Sequence, residues 1–507
     1  NITGDVDVTN IRGIGFDATC SLVVLDTSFH PLSISTSGDN DRNIIMWMDH
    51  RAHKQANFIN STKHDILKYV GGAISLEQEP PKLLWLKQFS LLHSQECLAM
   101  FALVFSLLRQ DIPWNNHFHR DVGYQHIDFT TSLGTLVTKW LYLADETSQN
   151  FSEDFLQQIG LHDLYENNCS KIGSEVQMPG LPVGKGLSAQ SASELGLILG
   201  TPVGAGLVDA YAGGLGVIAC DVKGHNLACE NQPITSRLPI ICGTSTCHMA
   251  ISDKPIFVDR VWGPFYSSMV PKFWVTEGGQ SATGKLLDHI VQTHPAYNEL
   301  KQKAQERYCY GLCDNIYQVL NERVSSLGEK SHMKDQVGQL TTNLHIWPDF
   351  HGNRSPLADA SLKGMICGLT LSTDIDNLAV LYLATIQAIA FGTRHILDAL
   401  NGSGHDISTL IACGGLSKNS LFMQIHSDVT GLPVILPKEI ESVLLGASML
   451  GACASSDYSN IQEVMEKMSK VGHVLRPNCR EREYYNKKYK VFLKMVEDQK
   501  VYQNMMK

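Results

Sequence analysis

Apolar and polar positions fall in short blocks along this chain. From Gly13 to Ser21 the residues are mostly small and polar, and they run into Leu22-Val-Val-Leu-Asp26, a pattern that predicts a strand, a turn and a second strand. The same punctuation returns where Leu238-Pro-Ile-Ile-Cys242 meets Gly-Thr-Ser-Thr and continues to Ile251. Two β-hairpins with polar elbows are expected, as corresponding parts of two related domains. A helical period starts at Leu371-Ser-Thr373-Asp-Ile-Asp376, where Ser/Thr and first-turn acids supply N-terminal capping, and Leu378, Leu381, Ile386, Ile389, Ile396 and Leu397 carry it on toward Gly402-Ser-Gly404. Next come an apolar strand at Thr409–Cys413, a Gly-Gly turn and a helix from Asn419 to Thr430, which is an α/β arrangement. Tyr485, Tyr489, Phe492 and Val496 mark one face of a terminal helix whose Lys and Arg side is expected to be solvated.

Composition narrows the class. At about 100–200 residues per domain, 507 residues predict two to four domains, and 43% apolar content excludes a disordered chain. With 41 basic against 51 acidic residues, no strong field attracts nucleic acid or an anionic membrane, so a small neutral or cationic partner fits better. Thirteen cysteines without a CxxC pair suggest reduced cytoplasmic thiols and no zinc site. The apolar run Cys97–Leu108 falls well short of the roughly 20 residues that span a bilayer. The first residues carry no secretory pattern and no initiator methionine, so the chain is expected to begin inside a longer protein.

Several segments could carry chemistry. In Val203-Gly-Ala-Gly-Leu-Val-Asp209 an apolar strand delivers a carboxylate to its C-terminal end, where it could accept a proton from a hydroxyl nucleophile or merely cap a helix. Gly243-Thr-Ser-Thr246 offers backbone N–H and hydroxyl groups to phosphate oxygens, or is a hairpin corner. Gly414-Gly415 before a helix could admit a nucleotide or relieve packing. Trp47 near Asp49, and Trp274 near Glu277, pair an indole with a carboxylate as sugar sites do, although a Trp in an apolar run usually belongs to the core. Asp349-Phe-His-Gly-Asn-Arg-Ser-Pro356 reads as a structured polar loop. A P-loop and the protein-kinase signatures are absent.

Taken in order, these segments resemble the FGGY carbohydrate kinase family, in its ribulokinase-like branch. The resemblance is carried by GFDATCS (15–21), MWMDHRA (46–52), GGAISLE (71–77), LVDAYAGGLG (207–216), CGTSTCHM (242–249), EGGQSATGKLLDH (277–289), PDFHGNRSPLAD (348–359), ACGGLSKN (412–419) and ESVLLGASMLGA (441–452). It implies an α/β fold of two actin-like ATPase (ribonuclease H-like) domains with sugar and ATP in the cleft between them. The boundaries expected are 1–235 for a sugar-binding domain missing its first strands, 236–455 for a nucleotide-binding domain, and 456–507 for helices docked on the second. Asp209 would be the catalytic base. Ala18, Trp47, Lys139 and Glu277 would join it in contacting a pentulose, most simply D-ribulose. Gly243 and Thr244 would hold the β- and γ-phosphates of ATP, with Gly414, Gly415 and Asn419 along the adenosine and Mg²⁺ as the implied cation, its ligands unassigned.

The family's early DxGTxSxR-like phosphate loop does not stand in these residues, and 88–130 departs from the family's pattern. A binding module of impaired turnover, or a kinase of xylulose, ribitol or glycerol, is therefore an alternative. Neither nucleic acid nor membrane is expected as a partner, and the oligomeric state is open to a homodimer.

Overall fold

The computed structural model describes residues 7–26, 31–35, 37–88, 97–102, 130–169, 175–309 and 315–507. Most of the divergent stretch, 89–96 and 103–129, lies outside them. The chain forms two compact units, each discontinuous in sequence: one of 1–221, 251–277 and 441–470, the other of 222–250, 278–440 and 471–507. This departs from the linear boundaries expected at 235 and 455. The chain re-enters the first unit because helix Ser442–Ala454 is shaped to pack on helix Asp209–Ile218. The expected tail also divides, Ile461–Met468 falling in the first unit and Arg482–Met505 in the second.

In the first unit, the two-residue strand Asp17–Ala18 pairs in parallel with Leu207–Val208, and the alignment extends backward through Ile14 and Val203. The hairpin expected at 13–26 is therefore not formed. Strand Leu22–Asp26 belongs to a different sheet, antiparallel to both Ile44–Ile45 and Cys97–Ala102. The reason lies in the glycines. Gly13 and Gly15 rest directly on the backbone of Ala447 and Gly451, an approach that a side chain would block. On the other side of the contact, a Cβ added to Gly451 would stand 2.8 Å from Gly15 N, and one added to Gly204 only 2.5 Å from Leu450 O. Gly446 in turn lies against the Ala212 carbonyl and Gly216 against that of Ser442. Five small residues thus make a trough for one helix, and the helix answers with two of its own.

The second unit is built on five strands in the order Thr246–Ser252, Arg237–Cys242, Thr409–Cys413, Val434–Pro437, Val471–Leu475. The hairpin expected at 238–251 is present, with Ile240 opposite His248. The next two pairings are parallel and the last antiparallel. Helix Ile375–Gly402 is long and apolar enough to cross a membrane, yet it is a core helix, most of its apolar window being buried within the fold. Its cap is Asp374, whose Oδ1 accepts from Asn377 N at 2.8 Å. Helices Gly284–Thr293, Ile316–Lys330 and Ser420–Thr430 all pack on it.

Helix Arg482–Met505 buries Tyr485, Tyr489, Phe492 and Val496 as its period predicts. Its basic side is not wholly solvated, however. Lys488 is buried and donates to Thr341 O at 2.7 Å and Gln387 Oε1 at 2.8 Å, and desolvation brings its pKa down to about 7.

Candidate functional site

Asp209 stands where a parallel strand pair ends. Val208 is still extended, and the helix begins at Asp209 itself, so the residue is the first of the helix rather than its cap. Its Oδ1 accepts from Ala210 N at 2.7 Å, and the side chain is half-buried rather than turned into the core. Ala18 is aligned with Val208 in the strand pair, which sets it beside the same strand end. The carboxyl ends of parallel strands are where α/β folds place their ligands.

Three further charges converge there. Burial raises the pKa of Asp209, the backbone bond from Ala210 and the charge of Lys139 oppose that rise, and Glu277 adds to it. Asp17 is pushed up to about 6 by burial and by repulsion from Asp209. Two neighbouring carboxylates share their titration. Lys139 closes the helix Leu133–Lys139 and is buried, with its Nζ 5.2 Å from the centre of the Trp262 ring. Trp262 faces Glu277 across a strand pair, and Tyr211 donates to Glu277 Oε2 at 2.8 Å.

Ala18, Lys139, Asp209 and Glu277 therefore belong to one cluster. Trp47 is half-buried and its backbone N–H donates to Ser21 Oγ at 3.2 Å, which ties it to the GFDATCS segment. Trp274 is core, packed on Tyr266 with ring centres 5.0 Å apart, so its indole does not offer a sugar face.

Sequence reasoning missed Asp17, Tyr211, Trp262 and the pair Glu79–Lys82. Asp17 and Tyr211 lie inside segments that were read, whereas Trp262 had no motif around it. Glu79 and Lys82 are fully buried, with Lys82 Nζ donating to Glu79 Oε1 at 3.5 Å, and they act electrostatically on Cys20 together with Lys139 and Asp209.

In the second unit, Ile241 is paired in parallel with Cys413, so the Gly243 turn and the Gly414 loop leave the sheet side by side. The Gly243 N–H donates to Ser245 O at 2.8 Å, and Thr244 is exposed. The start of helix Gly284–Thr293 fixes this turn, with Thr283 N donating to Thr244 O at 2.9 Å and Gly284 N to Gly243 O at 3.1 Å. Gly414 takes φ +89°, and a Cβ there would stand 2.6 Å from Cys242 O, so only glycine fits. Gly415 is exposed and has open space where a side chain would point.

Neither 242–248 nor 412–419 contains a carboxylate. Open glycine backbone without negative charge fits an anionic nucleotide tail. Asn419 caps helix Ser420–Thr430, accepting from Phe422 N at 3.1 Å. The loop 349–356 is structural: Asn353 ties Asp349 to Leu357 N, and the Arg354 side chain covers Gly279 and donates to Cys247 Sγ at 3.6 Å. The ten cysteines whose side chains are described form no disulfide.

The first unit thus carries a strand-end carboxylate, and the second a glycine-lined turn without a carboxylate. Residues 238–455 match the FGGY family of carbohydrate kinases, C-terminal domain. An FGGY carbohydrate kinase domain-containing protein of Homo sapiens is 54% identical over 497 residues, covering 98% of this chain and 86% of that protein. A D-ribulokinase of Saccharomyces cerevisiae is 37% identical over 478 residues, covering 90% of this chain and 64% of its own. Among solved structures, a xylulose kinase from Lactobacillus acidophilus superposes with a TM-score of 0.70 at 17% identity, covering 98% of this chain and 86% of that one. The chain belongs to the FGGY family of carbohydrate kinases, whose members are ATP-dependent sugar kinases with an actin-like ATPase fold.

Proposed function

We propose that this chain transfers the γ-phosphoryl group of ATP to the terminal hydroxyl of a pentulose, and that the pentulose is D-ribulose, giving D-ribulose 5-phosphate. The observation that carries the reading is Asp209, a carboxylate at a parallel strand end whose proton affinity is raised by burial and which is flanked by Lys139 and Glu277. The likeness to a D-ribulokinase supports the choice of acceptor.

Asp209 accepts the proton of the attacking hydroxyl. Its raised pKa makes it a better base than an ordinary carboxylate. Glu277, held by Tyr211, accepts a second sugar hydroxyl; Lys139, fixed against Trp262, donates to a sugar oxygen. Ala18 and Trp47 supply the apolar walls. Thr244 and the backbone around Gly243 take the phosphates, while Gly414, Gly415 and Asn419 border the nucleoside. Phosphoryl transfer asks for positioning and charge neutralisation more than covalent help.

Among the described residues no group of three or more His, Cys, Asp or Glu is gathered for a metal. Mg²⁺ needs only one or two carboxylates beside the nucleotide's phosphates, and the mutually repelling Asp17 and Asp209 fit that need. The cation would neutralise charge on the transferred group.

The test is ADP release across D-ribulose, D-xylulose, ribitol and glycerol, with sugar binding measured in parallel. D-ribulose should give the highest kcat/KM. Turnover highest on another acceptor would reassign the substrate, and binding of sugar and ATP without ADP release would make the chain a binding module.

A further inference from the structure

Asn321 is 98 residues from Asn419 in sequence, in no motif, and yet the two side chains meet. Asn321 Nδ2 donates to Asn419 Oδ1 at 3.0 Å, Asn419 Nδ2 donates to the Tyr382 hydroxyl at 2.6 Å, and Tyr382 in turn donates to Asn321 Oδ1 at 3.0 Å. Three side chains from three elements close a ring in which each donates once and accepts once. They come from helix Ile316–Lys330, helix Ile375–Gly402 and the cap of helix Ser420–Thr430.

The sense of the ring is determined by the backbone. Asn419 Oδ1 also accepts from Phe422 N, so this atom is the oxygen and its partner is the nitrogen. With that amide fixed, the Tyr382 proton has only Asn321 Oδ1 to go to, and the Asn321 amide is fixed in turn. Such chains polarise one another and strengthen together. Tyr382 is fully buried and Tyr317 stacks on it at 5.8 Å, so the ring rests on a rigid base.

Asn419 ends the loop that begins at Gly414. Its oxygen is used twice and its nitrogen once, so its amide cannot turn. We propose that Asn321 is a positioning residue for ATP, acting through this ring to hold the Asn419 amide and with it the 414–419 loop. The proposal rests on the reading of that loop as the nucleotide site.

Asn321→Asp is the sharpest probe. It keeps the acceptor for Tyr382, loses the donor to Asn419 and sets two oxygens against each other. Loss of about one hydrogen bond predicts ATP affinity weakened about tenfold, read by titration calorimetry and as KM for ATP. KM for sugar and kcat should stay within about twofold, because the sugar site is built from other elements. Tyr382→Phe, which keeps the ring in the core, should weaken ATP to a similar degree, and the double variant little more than either single one. This non-additivity is a readout that independent packing defects do not give.

If ATP affinity is unchanged in both variants, or if sugar and ATP constants fall together, the proposal is overturned. Gly415→Val separates it from the reading beneath it, since the added side chain enters open space and should block ATP alone. If Gly415→Val leaves ATP binding intact, the nucleotide reading fails; if it blocks ATP while Asn321→Asp does nothing, only the positioning role of Asn321 fails.

Discussion

The two candidate sites, one in each unit, are built from opposite materials. In the first unit, Asp17, Asp209, Lys139 and Glu277 are ionisable and largely shielded from water, and the buried pair Glu79–Lys82 acts on Cys20 as Lys139 and Asp209 do. In the second, Gly243, Thr244, Gly414, Gly415, Asn321, Asn419 and Tyr382 are neutral at working pH and held by hydrogen bonds to each other and to backbone. The difference follows from what each side must do. A base has to change protonation, so its environment must raise its pKa at some cost in stability. A phosphate cradle receives charge that arrives with the ligand, and neutral donors on rigid turns serve it without repulsion in the empty state.

The comparison breaks most directly at Asp209. Asp209→Asn keeps the size and removes the base, and kcat should fall about 10²–10⁴-fold with ATP binding in magnesium-free buffer unaltered; turnover retained within a few-fold would remove Asp209 from the mechanism. Gly446→Ala should come next. A methyl group there meets the Ala212 carbonyl, and overpacking of this kind costs about 1–3 kcal/mol, to be measured as lower denaturant stability together with lost turnover.

A smaller effect is expected in the pH profile. Asp209 must be ionised to act, so kcat/KM should rise with pH through a pKa above the usual carboxylate value of 3.8. Lys139→Met removes a cation that lowers this pKa, and the acid limb should move to higher pH; a shift to lower pH would contradict the assigned contact.

The smallest effect concerns Asp17. Its pKa in the fold, about 6, exceeds the model-peptide value, so folding favours its neutral form. Its contribution is most favourable below about pH 4 and is lost as pH rises through 6. Asp17→Asn should therefore raise the melting temperature at pH 8, in magnesium-free buffer, and leave it unchanged at pH 4. An equal shift at both pH values would mean that the effect is not electrostatic.

Much of the second unit was legible in the sequence because its elements are long and locally encoded. The core helix carries its own cap and stop, and the 238–251 hairpin its own turn. The first unit was harder. Asp17–Ala18 and Leu207–Val208 are two residues each, too short for periodicity, and their pairing depends on glycines whose partners lie beyond residue 440. Asp209 was visible because it ends an apolar run, and Glu277 because it opens a recognisable motif. Asp17 stood in view without a reason to single it out. The ring through Asn321 left no trace, since three polar residues on three elements share no spacing. Lys488 likewise lies among the buried residues of its helix, where its charge alone would not place it.

The glycine trough has a consequence for how this protein can change over time. The first turn of the helix that carries Asp209 is seated by a segment more than two hundred positions downstream, at a separation narrower than a methyl group. A single-nucleotide change in the codon for Gly446 would thus displace the helix that carries Asp209 without altering any residue beside that carboxylate in sequence. A survey of variants confined to the ligand-lining positions would overlook the damage.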